Sequence, residues 1–136
     1  MLRTETKGRA RALQLLYAAE TNALGVEDVI PGLARLTGPE PFVLAFAEKL
    51  ATAVRADQPR LDGLLEDATE HWKLDRLAVI DRNILRLGAF ELSSPEIPPR
   101  VAIDEALWLA HRFGTVQSPG FINGVLDQVA RTLGRL

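Results

Sequence analysis

The stretch Leu77-Ala78-Val79-Ile80-Asp81-Arg82-Asn83-Ile84-Leu85-Arg86-Leu87 decides the fold class. Its apolar residues Leu77, Ile80, Ile84 and Leu87 recur at spacings of three and four. That is the period of a helix with one buried face, not the alternation of a strand. Asp75, just ahead, is placed to cap this helix. Ser93-Ser94-Pro95 and Pro98-Pro99 end it, because proline lacks the helical N–H donor and clashes with the preceding turn.

The same period continues on both sides. Toward the C-terminus, Ile103, Ala106, Leu107 and Ala110 mark a helix closed by Gly114, a residue suited to a left-handed cap. Ser118-Pro119 reads as the next helix start, with serine at the cap and proline in the first turn. Phe121, Ile122, Val125, Leu126 and Val129 then face inward. Toward the N-terminus, one stripe is Leu61, Leu64, Leu65, Ala68 and Trp72, and another is Phe42, Phe46, Leu50, Ala53 and Val54. A third is Val26, Val29, Ile30, Leu33 and Leu36, and the first is Leu13, Leu16, Tyr17 and Leu24. Pro31 lies inside the 26–36 pattern, where a mid-helix proline costs about 3 kcal/mol, so that helix either kinks or begins near Pro31. The breakers Thr37-Gly38-Pro39-Glu40-Pro41 and Asp57-Gln58-Pro59 separate the stripes. No β-branched alternation and no repeat is evident. The expectation is an all-α chain of about seven helices around one or two cores. Residues 1–136 are read as a single domain, because each piece between breakers is too small to stand well alone.

Hydrophobic residues make up 47% of the chain, enough for a buried core. No apolar run is long enough to span a bilayer, and the N-terminus lacks the apolar stretch of a secretion signal. Cysteine is absent, which excludes disulfides, thiolate nucleophiles and the commonest zinc ligand sets. A cytoplasmic protein with no membrane attachment fits. The net charge of −2 conceals an uneven distribution. Arg3, Lys7, Arg9 and Arg11 stand against Glu5 alone, whereas Asp57, Asp62, Glu66, Asp67, Glu70, Asp75 and Asp81 stand against Arg60, Lys73 and Arg76. A basic arm on a mildly acidic body suggests one site for an anionic partner. On charge alone, a solvated, frayed terminus accounts for it equally well.

Enzyme signatures are missing. The glycines form no phosphate loop with a following Lys-Ser/Thr pair. His71 and His111 are far apart, without metal-ligand spacing, and read as surface helix residues. Glu66-Asp67 and Asp104-Glu105 are sequence neighbours, which diverge on a helix rather than converge on a substrate. Ser93, Ser94 and Ser118 sit at breakers, where serine caps. No catalytic residue, metal or cofactor is expected. Asn83, Glu91 and Asn123 lie within or beside apolar stripes, and polar groups there need partners, so they brace loops or helix ends. Trp108 lies off its helix's inward stripe, as a contact residue or as the lid of a secondary core.

Three blocks carry a resemblance to a known family. The first is Lys7-Gly8-Arg9-Ala10-Arg11-Ala12-Leu13-Gln14-Leu15-Leu16-Tyr17. The second is Trp72-Lys73-Leu74-Asp75-Arg76-Leu77 running into Ile80-Asp81-Arg82-Asn83-Ile84-Leu85-Arg86-Leu87-Gly88-Ala89-Phe90-Glu91-Leu92. The third is Val101-Ala102-Ile103-Asp104-Glu105-Ala106, Arg112-Phe113-Gly114 and Phe121-Ile122-Asn123-Gly124-Val125-Leu126-Asp127. In order and spacing these resemble the NusB transcription antitermination factors, over essentially the whole chain, the third block being the most specific.

The resemblance implies an all-helical fold with two helical subdomains and a non-enzymatic adaptor function. It implies binding of single-stranded boxA RNA in nascent ribosomal transcripts, together with NusE, a small-subunit ribosomal protein. The pair would help to load an antitermination complex on RNA polymerase. The implied RNA-binding residues are Lys7, Arg9, Arg11, Tyr17, Gln117, Ser118 and Phe121, and the implied NusE contacts are Asp75 and Asp81. General chemistry agrees: cations attract phosphate, unpaired bases stack on aromatic faces, and the helix start after Ser118 offers free N–H groups. The acidic 57–81 segment suits a basic ribosomal protein. Glu5 and Thr6 stand where some members carry arginine, and Gln117 where some carry an acid, so the basic arm is thin. Two other readings stay open. A NusB-like domain precedes the catalytic part of some ribosomal RNA cytosine methyltransferases, but these residues leave no room for one. A homodimer that masks the RNA face is the other.

Overall fold

The computed structural model describes residues 2–69 and 72–136. Glu70 and His71, read above as part of the acidic segment and as a surface residue, lie outside the described residues. Among those described there are seven α-helices, one 3-10 turn and no strand. They are α1 (Thr4–Thr21), α2 (Val26–Thr37), α3 (Pro41–Ala56), α4 (Gln58–Ala68), the 3-10 turn (Leu74–Arg76), α5 (Val79–Leu92), α6 (Pro99–Phe113) and α7 (Ser118–Thr132). They divide into two compact units, Met1–Ala56 and Asp57–Leu136, at the Asp57-Gln58-Pro59 breaker.

In the first unit α1 packs against α3 and α2. It buries Ala12, Leu13, Leu15, Leu16 and Ala19. The α3 face differs in register from the expected stripe: Val43, Ala47, Leu50, Ala51 and Val54 are buried, while Phe42 is 83% exposed. Ala47 and Ala51 share a face with Val43 and Val54, and small residues there bring helix backbones close. At Gly8 a Cβ would collide with the Phe46 ring, so glycine is what admits that ring against α1. Helix α2 starts at Val26 and runs through Pro31, not from it. Pro31 and Glu27 are both exposed, so water can serve the Glu27 carbonyl that the proline leaves without a donor. The Asp28 carboxylate accepts from the Gly25 N–H at 3.0 Å and fixes the helix start. Leu36, expected inside, is 87% exposed, and Leu24 lies beyond α1 and is exposed.

In the second unit α5 is central, packed against α4, α6 and α7. Every residue from Asn83 to Ala89 is buried. Its polar members are satisfied. Arg86 Nε and Nη2 donate to Asp62 Oδ1 and Oδ2 at 2.7 and 3.1 Å, and Nη1 donates to Asn83 Oδ1 at 3.2 Å. Asn83 Nδ2 in turn donates to the Val79 carbonyl. Glu91 is buried too, whereas Asn123 is exposed and braces nothing in a core. Gly88 admits the Leu126 side chain, which a Cβ would strike.

Four local expectations change in this unit. Asp75 does not cap α5: it sits in the 3-10 turn, and Ala78 precedes α5 with no side-chain cap. That turn is held by Arg82, whose Nη1 donates to the Leu74 and Leu77 carbonyls at 3.3 and 2.9 Å. Trp72 does not continue the α4 stripe, because α4 ends at Ala68 and Trp72 is 60% exposed. Gly114 closes α6 with φ −91°, not in the left-handed region; glycine is needed because a Cβ would press on the Ser118 side chain. Ser118 itself is the first residue of α7, one place inside the expected cap, and makes no cap bond. The α5–α6 connection is tied by Arg135, which donates to the carbonyls of Leu92, Ser94 and Ile97 at 2.7, 2.9 and 2.8 Å.

Candidate nucleic-acid interface

The basic arm is helical from Thr4, with Arg3 at the N-cap. Arg3 and Lys7 stand at the positive end of the α1 dipole, where cations are disfavoured, and among the first-turn residues only Glu5 offsets them. Such an arrangement stabilises a bound anion more than it stabilises the helix. Lys7, Arg11, Gln14 and Tyr17 follow each other at spacings of four and three, so they run up one side of α1. All four are accessible, Tyr17 the most at 43%. The contacts of this stripe are light. Lys7 Nζ is 3.3 Å from Glu40 Oε2, with both side chains about two-fifths exposed. Arg11 donates to Gln14 Oε1 at 2.8 Å.

Arg9 is placed differently. It is 6% exposed, and its guanidinium lies 5.8 Å above the Phe46 ring. Arg9 shares a face with the buried Leu13 and Leu16, four and seven residues on. The spacing that marks the Lys7 stripe therefore puts Arg9 on the opposite side, a signal present in the sequence.

The second unit holds the other implied residues. Gln117 is exposed just before α7, Phe121 is half-buried and Ser118 is 1% exposed. Ser118 Oγ accepts from the Thr115 N–H at 2.9 Å and donates to Asp81 Oδ1 at 2.7 Å. The Ser118 N–H returns to the Thr115 carbonyl at 3.1 Å, so residues 115–118 form a closed turn. Asp81, implied as a partner contact, thus touches the turn implied for RNA. Trp72 meets Phe121 edge-on at 6.2 Å. An open concavity of about 320 Å³ is lined by Trp72, Leu77, Asp81, Gln117, Ser118 and Phe121. Trp72 also borders two neighbouring hollows, one with Asp67 and Gln128 and one with Glu66 and Asp75. Trp72 was not among the implied site residues. No stop residue marks the end of α4, and the spacing from Leu65 carried Trp72 inward on paper.

Asp75 is exposed on the 3-10 turn, and Glu66 and Asp67 are exposed near the end of α4. Asp57 is engaged by Arg60 and Asp62 by Arg86. The accessible acids of this segment are therefore fewer than the sequence count. No three His, Cys, Asp or Glu side chains converge as a metal site among the described residues. No helix among them is long and apolar enough to cross a membrane.

The NusB family model matches residues 6–131. The transcription antitermination protein NusB of Sorangium cellulosum is 42% identical over 130 residues, covering 95% of this chain and 93% of its own. Its counterpart in Thermobifida fusca is 44% identical over 124 residues, covering 90% and 86%. Among solved structures, NusB of T. maritima matches with TM-score 0.83 at 31% identity, over 96% of this chain and 93% of that one. A chain from the crystal structure of antitermination factors NusB and NusE in complex with dsRNA matches at TM-score 0.82 and 23% identity, over 97% and 99%, a likeness of fold.

Proposed function

The chain belongs to the NusB family, and on that premise we propose that it is a transcription antitermination factor that binds single-stranded boxA-type RNA together with NusE. In that role it helps to load an antitermination complex on RNA polymerase. The observation that carries the RNA reading is the accessible stripe Lys7–Arg11–Gln14–Tyr17 along one side of α1. Lys7 and Arg11 supply phosphate attraction, and Tyr17 offers a ring face for an unpaired base. Arg9 serves RNA indirectly, by holding Phe46 against α1 on the side opposite that stripe. Gln117 and Phe121 line the concavity of the second unit as direct contacts, and Ser118 shapes the turn between α6 and α7.

Asp75, with Glu66 and Asp67, forms the accessible acidic surface for basic NusE. The fold is one found elsewhere in a complex of NusB, NusE and dsRNA. The test is titration of the purified chain with single-stranded boxA-type RNA, with and without NusE. Because binding couplings are reciprocal, NusE should tighten RNA binding by the factor by which RNA tightens NusE binding. A chain that binds neither RNA nor NusE, alone or together, would refute the proposal.

A further inference from the structure

We propose that Asp81 is a positioning residue for the RNA-facing turn 115–118, acting through Ser118, and not solely a partner contact. The proposal rests on the functional reading above. Asp81 stands in the first turn of α5, which is buried through its middle. Its Oδ1 accepts the Ser118 hydroxyl at 2.7 Å, a charge-assisted bond. That hydroxyl is 1% exposed as part of its residue, so water does not compete for it. With its proton committed to Asp81, Ser118 Oγ has a lone pair left for the Thr115 N–H at 2.9 Å. Gly114 is what lets Ser118 come this close to the end of α6. One carboxylate on a packed helix therefore fixes the hydroxyl direction, the hydroxyl fixes the Thr115 amide, and the turn presents Gln117 and Phe121 to the concavity. Removing Asp81 leaves the Ser118 hydroxyl only Thr115 Oγ1, at 3.2 Å, as an acceptor and takes away the tie that holds the turn to α5.

Charge alone predicts the opposite outcome. Asp81 lines the same concavity as Gln117 and Phe121, so as a bare anion it repels RNA, and its removal should tighten RNA binding. A positioning role predicts loosening. The sign of the change therefore separates the two.

The experiment uses the full chain with Asp81→Ala, Asp81→Asn, Ser118→Ala and the double variant Asp81→Ala/Ser118→Ala. Titration with single-stranded boxA-type RNA should show a loss of about tenfold for Asp81→Ala and for Ser118→Ala, the measure of one charge-assisted hydrogen bond. The double variant should lose no more than either single one, since both break the same link. Asp81→Asn keeps the acceptor and removes the charge, so it should stay within about twofold of the unaltered chain. Amide hydrogen exchange reads the turn without RNA: Thr115 should lose protection in Asp81→Ala and keep it in Asp81→Asn. Tighter RNA binding by Asp81→Ala, additive losses in the double variant, or unchanged Thr115 protection would overturn the proposal. An unaltered chain that ignores RNA while Thr115 responds as expected would instead defeat the functional reading, and leave Asp81 as an anchor of the fold.

Discussion

Salt dependence offers a sharp test of which cations meet RNA. Arg9 is buried over Phe46, so the cations able to reach phosphate from α1 are Lys7 and Arg11, with Arg3 as a third partly offset by Glu5 at 3.6 Å. Each phosphate neutralised on a single strand contributes about −0.7 to the slope of log affinity against log salt. Two or three such contacts give a slope between about −1.4 and −2, so raising salt from about 50 to about 200 mM should weaken RNA binding about 7- to 20-fold. Lys7→Gln should flatten the slope by about 0.7, because the Glu40 contact it gives up is an exposed pair of small worth. Arg9→Gln should leave the slope unchanged. It should instead cost about 1–2 kcal/mol of stability through the lost cation–π contact and stem packing, read by denaturant unfolding. Fluorescence titration at four or five salt concentrations measures all three proteins. A slope near −5 for the unaltered chain, or equal flattening by Arg9→Gln and Lys7→Gln, would refute this assignment of cations.

Three further outcomes follow from the second unit. Asp62→Ala takes the carboxylate that accepts two donors of the buried Arg86 guanidinium and should cost about 3 kcal/mol in denaturant unfolding; a cost under about 1 kcal/mol would mean that water relieves the charge. Phe121→Ala should lower both RNA affinity and stability, the latter by about 2 kcal/mol because the ring is only half-buried, and should shift Trp72 emission; an unmoved melting temperature with lost RNA binding would make Phe121 a contact residue alone. Asp75→Lys should weaken NusE binding while leaving RNA binding by the isolated chain unchanged or tighter. Loss of RNA binding with NusE binding intact would show that the two surfaces are assigned the wrong way round.

The all-helical class was legible because α5, α6 and α7 carry uninterrupted apolar periodicity between strong breakers. The register of α3 was not, because size misleads there. Phe42 outranks Ala47 and Ala51 in hydrophobicity, yet the alanines mark the side that admits another helix. Ser118-Pro119 correctly announced a helix start, but the serine's partners, Thr115 and Asp81, lie outside the local pattern that capping rules consult. The candidate site divides in the same way. Lys7 and Arg11 were readable as accessible, and helical spacing alone would have set Arg9 apart from them; Tyr17, counted in the apolar stripe of the first helix, is instead 43% exposed. The placement of Asp81 beside the 115–118 turn was not readable, since it depends on how α5 meets the end of α6. Trp72 was missed because apolar spacing continued past the true end of α4.

The three carbonyls gripped by Arg135 bear on the order in which the second unit is completed. Arg135 lies 43, 41 and 38 residues beyond Leu92, Ser94 and Ile97. During synthesis the α5–α6 connection therefore emerges from the ribosome well before its tether does, and at about 5–20 residues per second the wait is roughly 2–9 seconds. Over that interval its carbonyls rely on water, while the helices of the first unit are already outside and have their partners. The nascent second unit is thus the part that needs shielding from aggregation, and a chain stalled between α6 and Arg135 would present its α5–α6 corner loose to the cell's proteases.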